Sequence, residues 1–167
     1  MNTKRKVLLS RLAVIVLVLL NIGCDQVSKK VVRENVSHQE FIPLIKNHFI
    51  LTNVENKGAM LGFGANFPPT AKIILFQGLP LIVLLVLLYR ILTKTQTNNW
   101  MLLAFAFVIG GGIGNLIDRI TVGSVTDFFQ IRLGFFRTGI FNMADVAVTT
   151  GVLLILFFAL SGKKITV

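Results

Sequence analysis

The chain has a single cysteine, Cys24, and so can form no internal disulfide. Its two histidines, His38 and His48, have no HExxH and no cysteine partner, which leaves zinc without a ligand set, and both read as loop residues. No G-x-S-x-G occurs, and Ser28 beside Lys29 has no clear nucleophile environment. A P-loop and a strand-to-helix G-x-G-x-x-G are also missing, as are internal repeats and low-complexity tracts. Acidic residues are scarce: seven Asp and Glu stand against 17 Lys and Arg, a net charge of +10. The basic residues are too dispersed for a phosphate-binding stripe, so nucleic acid is not an expected partner.

The excess lies in apolar residues, at 54% and gathered in blocks. With 167 residues there is room for one domain. Four blocks approach the roughly 20 residues needed to cross a bilayer: 7–26, 71–92, 100–120 and 141–162. The expected fold is an all-α membrane protein of four transmembrane helices, with small extracytoplasmic β-structured segments in the intervening 27–70 and 121–140. In the first of these, "FILTNVEN" (Phe49 to Asn56) reads as a strand running into the glycine-rich "NKGAMLGFG" and the Pro68-Pro69 break. The second, with "SVTDFFQIRLGFFRTG", reads as a short hairpin on the membrane surface, where Phe128, Phe129, Phe135 and Phe136 meet the interface.

The first block poses its own question. The basic start (Lys4, Arg5, Lys6), the apolar run and "NIGCDQ" resemble a secretory signal ending in a lipobox. A lipoprotein has one removable signal and a soluble body, whereas three more spans follow here, and Asn21 stands where a lipobox carries Leu. The segment is therefore expected to be retained, with the mature chain beginning at or near Met1 and Cys24 a small apolar residue near a helix end.

Counting Lys and Arg does not settle orientation, since eight fall on one side and nine on the other. The cluster at the N-terminus and the short loop Arg90 to Asn99 favour both termini in the cytoplasm. All seven acidic residues then lie at or near the outer side, where function is expected to sit.

Polar residues at the edges of spans are costly and face a bundle interior, a partner or water. In the first span Asn21, Asp25 and Lys29 share a face at i, i+4 and i+8. The Asp25–Lys29 pair either anchors the helix end among headgroups or belongs to a site. In the third span Gly110 and Gly114 form a small-xxx-small pair for close helix approach. Asn115, Asp118 and Arg119 beside them share a broad face that packing alone does not explain. In the fourth, Asn142, Asp145 and Thr149 form a polar stripe on an apolar helix. Asp127, in "VTDFF", is placed to meet Asp145 at the outer surface. Two such carboxylates do not readily both ionise, so one keeps a proton and the other can activate water. A small transporter or channel with a polar path, and a scaffold anchored through Cys24, are the competing readings.

In order, "DQVSK" (Asp25 to Lys29), "NKGAMLG" (Asn56 to Gly62), "GNLIDR" (Gly114 to Arg119), "GSVTDFF" (Gly123 to Phe129) and "FNMAD" (Phe141 to Asp145) resemble the motif series of the bacterial lipoprotein signal peptidase family, signal peptidase II. The resemblance implies a membrane aspartyl endopeptidase that cleaves prolipoproteins before their diacylglyceryl-modified cysteine. It implies Asp127 and Asp145 as the catalytic pair. Asp25 and Lys29 would form the first polar motif, Asn56 and Gly58 a loop that holds substrate. Asn115, Asp118 and Arg119 would support the site and contact the substrate backbone, with Asn142 flanking the second aspartate. Asp118 is expected to be ion-paired with its neighbour Arg119. Thr126 departs from the apolar β-branched residue common in the family at that position. No metal or cofactor is implied. The expected setting is a monomer in the bacterial cytoplasmic (inner) membrane, multi-pass, its partners membrane lipid and diacylglyceryl-modified prolipoproteins.

Overall fold

The computed structural model of the protein describes residues 3–46, 48–93 and 98–161. Residues 94–97 of the loop between the second and third spans lie outside them, as do Lys163 and Lys164, which are among the eight Lys and Arg counted on the cytoplasmic side. Among the described residues, four helices are long and apolar enough to span a membrane: Val7–Asn35, Pro69–Thr93, Asn99–Thr121 and Met143–Leu160. The protein is a multi-pass membrane protein, and all four expected spans are present.

The first helix, α1 (Thr3–Asn35), runs nine residues past its expected end at Gln26. No proline or glycine interrupts it after Gly23, and Asn35 bonds back to the Val31 carbonyl at 2.8 Å. At about 1.5 Å per residue it is about 50 Å long, so its last turns project beyond the roughly 30 Å hydrocarbon core. Cys24 consequently lies in mid-helix, exposed, rather than near an end.

On that projection sits a four-stranded antiparallel sheet, in order β1 (Phe41–Ile45), β2 (Phe49–Asn56), β3 (Val125–Leu133) and β4 (Phe136–Arg137). The expected strand 49–56 and the expected hairpin are both present. Strand β1 was not legible beforehand, because "FIPLI" contains Pro43, which suits only an edge strand. Gly123, at φ +83°, makes the turn from helix to β3 in a backbone conformation that a side chain would resist.

The second span starts with α2 (Pro69–Lys72), passes through a π-helical segment (Ile73–Gly78) and continues as α3 (Leu79–Thr93). Helix α4 (Asn99–Thr121) is central and packs against α1, α3 and α5 (Met143–Leu160). Glycines permit this closeness: a Cβ at Gly110 would lie 2.6 Å from the Asn21 Cβ, and one at Gly114 would lie 2.6 Å from Asp25 Oδ2. The anticipated small-residue pair thus receives α1.

Two apolar cores result. One fills the helix bundle with Val14, Val18, Leu84, Met101, Phe105, Ile109 and Leu116. The other pins the sheet to the end of α1 through Val32, Val36 and Phe128; burying Phe128 contributes about 1.5–3 kcal/mol. Between them lies a buried polar layer. Gly114→Ala is expected to push α1 off α4 there, lowering stability by about 1–3 kcal/mol. Thermal unfolding in detergent checks this, and an unchanged midpoint would contradict it.

Candidate active site

The polar layer is assembled from α1 outward. Asp25, Lys29, Asp118 and Asn142 are all at 0% exposure, so the Asp25–Lys29 pair faces inward and is not a headgroup anchor. The Lys29 ammonium contacts Asp25 Oδ2 at 2.7 Å, Asp118 Oδ2 at 3.1 Å and Asn115 Oδ1 at 3.0 Å. Its three N–H donors match these three acceptors. Asp25 also accepts from the Ala144 backbone N–H at 2.9 Å, so a carboxylate of α1 caps the first turn of α5.

Asp118 is ion-paired, as expected, but not with Arg119. Adjacent helical residues do not face each other, and Asp118 turns to α1, meeting Lys29 and, at 3.0 Å, Arg33. Arg119 turns away and donates to the Gly58 carbonyl at 3.1 Å and to the Asn115 carbonyl at 3.2 Å. The π-helical segment contributes Gln77, which donates to the Arg119 carbonyl at 3.1 Å. The charges of Asp145, Asp127 and Asp118 all bear on the Arg119 guanidinium.

Asp127 enters from β3 and Asp145 from the first turn of α5. Asn142 joins them: its side chain donates to Asp127 Oδ1 at 2.7 Å, and its backbone N–H donates to Asp145 Oδ2 at 3.2 Å. The second contact is half of a capping box, completed when Asp145 N–H donates to the Asn142 side chain at 2.9 Å. Asn142 is therefore an extended N-cap residue and not part of the helical stripe expected from spacing. Thr149 does not join the site either, because it lies on the exposed side of α5.

Asn115 donates to Asp145 Oδ1 at 2.8 Å while accepting from Lys29 and Asn142, which ties the charge layer to both aspartates. Asn56 donates to Asp127 Oδ2 at 3.0 Å. Its side-chain Oδ1 accepts from the Gly58 backbone N–H at 2.9 Å. A side chain at Gly58 would meet the Gly62 carbonyl 2.7 Å away, so the loop folds tightly back over this residue.

That loop carries exposed Met60, Leu61 and Phe63, and Leu61 reaches across to Gly139, just before α5.

Burial pushes the Asp127 carboxyl up to about 7; the Asn56 hydrogen bond opposes the rise and the charge of Asp145 adds to it. The ten residues that the family resemblance implies as site residues meet in one connected cluster, whereas Asn21, which bonds back to the Leu17 carbonyl, and Thr149 stay outside it. Among the described residues, no three His, Cys, Asp or Glu side chains form a metal-holding group.

Sequence reasoning missed several members. Gln26 donates to Asp25, to Asp118 and to the Gly114 carbonyl, each at 3.1 Å. Arg33 was signalled, since it continues the series Asn21, Asp25, Lys29 by four more residues. Glu55 and Ser124 carried no local signal, because their meeting depends on the β2–β3 register.

Comparison with known proteins identifies the family. The family described as "Signal peptidase (SPase) II" matches residues 15–161. The "Lipoprotein signal peptidase" of Chlorobium phaeobacteroides is 40% identical, covering 88% of this chain and 86% of its own. That of Desulforapulum autotrophicum is 31% identical over 98% of both. A solved structure titled "Bacterial membrane enzyme structure by the in meso method at 2.3 A resolution" superposes with a TM-score of 0.77 at 28% identity, covering 93% of this chain and 94% of that one. Extent and identity together place the chain in the signal peptidase II family.

Proposed function

We propose that this chain removes signal peptides from prolipoproteins by aspartyl chemistry, cutting before the diacylglyceryl-modified cysteine with Asp127 and Asp145 as the catalytic pair. The observation that carries the reading is Asn142, which hydrogen-bonds both aspartates at once. Asp127, whose carboxyl is pushed up to about 7 by burial, serves as the acid, and Asp145 serves as the base. Water between them loses a proton to Asp145 as its oxygen attacks the carbonyl before the lipidated cysteine. Asp127 protonates the carbonyl oxygen, giving a neutral diol. On collapse Asp145 returns its proton to the leaving amine, and Asp127 takes one back from the diol. No covalent intermediate, metal or organic cofactor is required.

The diacylglyceryl chains stay in lipid while the signal helix packs laterally among the spans. Asn56 and Gly58 hold the substrate loop, Arg119 contacts the substrate backbone, and the apolar segment Met60 to Phe63 acts as a lid. Asp25, Lys29, Asn115 and Asp118 support the site from behind. The protein works as a monomer in the bacterial cytoplasmic membrane, with both termini inside and the site at the outer face. A transporter would need a polar path through the inner half of the bundle, which Val14, Met101, Leu102 and Phe105 fill instead.

Cleavage of a diacylglyceryl-modified prolipoprotein, beside its unmodified precursor, tests the reading. Only the lipidated substrate should be cut, and Asp127→Asn and Asp145→Asn should each lower kcat by about 10²–10⁴-fold; turnover retained in either variant rules out the pair. Because the acid must be protonated, kcat/KM should fall as pH rises through about 7. A profile flat to pH 9 would remove Asp127 from that role. Asp118→Asn should act through the fold, since it strips a carboxylate from Lys29 and Arg33 at a cost of about 3–5 kcal/mol. A normally stable but inactive variant would move Asp118 into the chemistry.

A further inference from the structure

Behind the strand that carries Asp127 lies a second set of polar contacts. Side chains alternate across a strand, and Glu55 stands directly opposite Thr126 in the β2–β3 register. Asp127 and Asn56 therefore share one face of the sheet, and Ser124, Thr126 and Glu55 the other. On that second face Glu55 accepts from the Thr126 hydroxyl at 2.7 Å and from the Ser124 hydroxyl at 2.6 Å. The Thr126 oxygen in turn accepts from Arg33 Nε at 2.7 Å, so its single donor and an acceptor site are both used. Arg33 pairs with Asp118 at 3.0 Å, and the Thr126 backbone N–H donates to the same carboxylate oxygen at 3.2 Å.

We propose that Arg33, Glu55 and Thr126 are positioning residues, a clamp between α1 and β3 that sets where Asp127 stands relative to Asp145. The proposal rests on the peptidase reading above. Thr126 is one peptide bond from Asp127, so a slide of its hydroxyl passes directly to the carboxylate. Phe128 and the pairing with β2 already keep the sheet on α1, and the clamp is therefore needed for placement more than for folding. A displacement of about 1 Å can cost about 10²-fold in rate.

The test is steady-state cleavage of the lipidated prolipoprotein by wild type, Thr126→Val, Thr126→Ser and Glu55→Gln, with thermal midpoints alongside. Valine keeps the shape of threonine and loses the hydroxyl; serine keeps the hydroxyl. Thr126→Val is expected to lower kcat about tenfold with KM within about twofold, while Thr126→Ser stays within about twofold of wild type in both. Glu55→Gln alters a partly exposed side chain, which keeps it foldable, and it should lower kcat in the same direction. Combined with Thr126→Val it should add little, because the two substitutions break one contact. Wild-type kcat in Thr126→Val, or equal loss in Thr126→Ser and Thr126→Val, would overturn the clamp while leaving the peptidase reading intact. An inactive, well-folded wild type would overturn both.

Discussion

One ammonium group sits where everything else meets. Lys29 is fully buried between the carboxylates of α1 and α4 and the amide of Asn115. A charge in that place is tolerable only because its partners are all present; removing one leaves an uncompensated ion where no water reaches it. Through Asp25 the same group fixes the start of α5, and through Asn115 it reaches Asp145. The elements that bear the two aspartates are thus positioned by a contact that touches neither of them.

The surrounding architecture follows from that layer. Glycines on α4 bring α1 close enough for Asp25 to reach α5, and the overlong α1 carries Arg33 and the second apolar core above the bilayer. The sheet resting on that core delivers Asp127 from above, and the capping box of α5 presents Asp145 from below. Negative groups (Asp25, Glu55, Asp118, Asp127, Asp145) outnumber the positive ones (Lys29, Arg33, Arg119) at this depth. Burial within that excess pushes the Asp127 carboxyl up.

Much of this was legible in the sequence because membranes make polar residues conspicuous. Asp25 and Lys29 stood out against apolar neighbours at helical spacing, as did Asn115, Asp118 and Arg119. The strand 49–56 declared itself by its β-branched and aromatic residues. What stayed hidden depended on partners far along the chain. Adjacency in sequence pairs Asp118 with Arg119, whereas the helix turns the two side chains apart and the true partners come from α1. Spacing puts Asn142 in a helical stripe with Thr149, whereas Asn142 caps the helix in an extended conformation and Thr149 lies on its exposed side. The pairing of Glu55 with Thr126 needs the strand register, which no local pattern supplies.

Lys29 holds the site together by charge compensation. The most direct test is thermal unfolding of Lys29→Met beside the double variant Asp25→Asn, Lys29→Met, which leaves Asp118 paired with Arg33. A marked loss of stability is expected in the single variant and substantial recovery in the double, where the buried carboxylate that Lys29 compensated is neutral. A single variant as stable as wild type would contradict it.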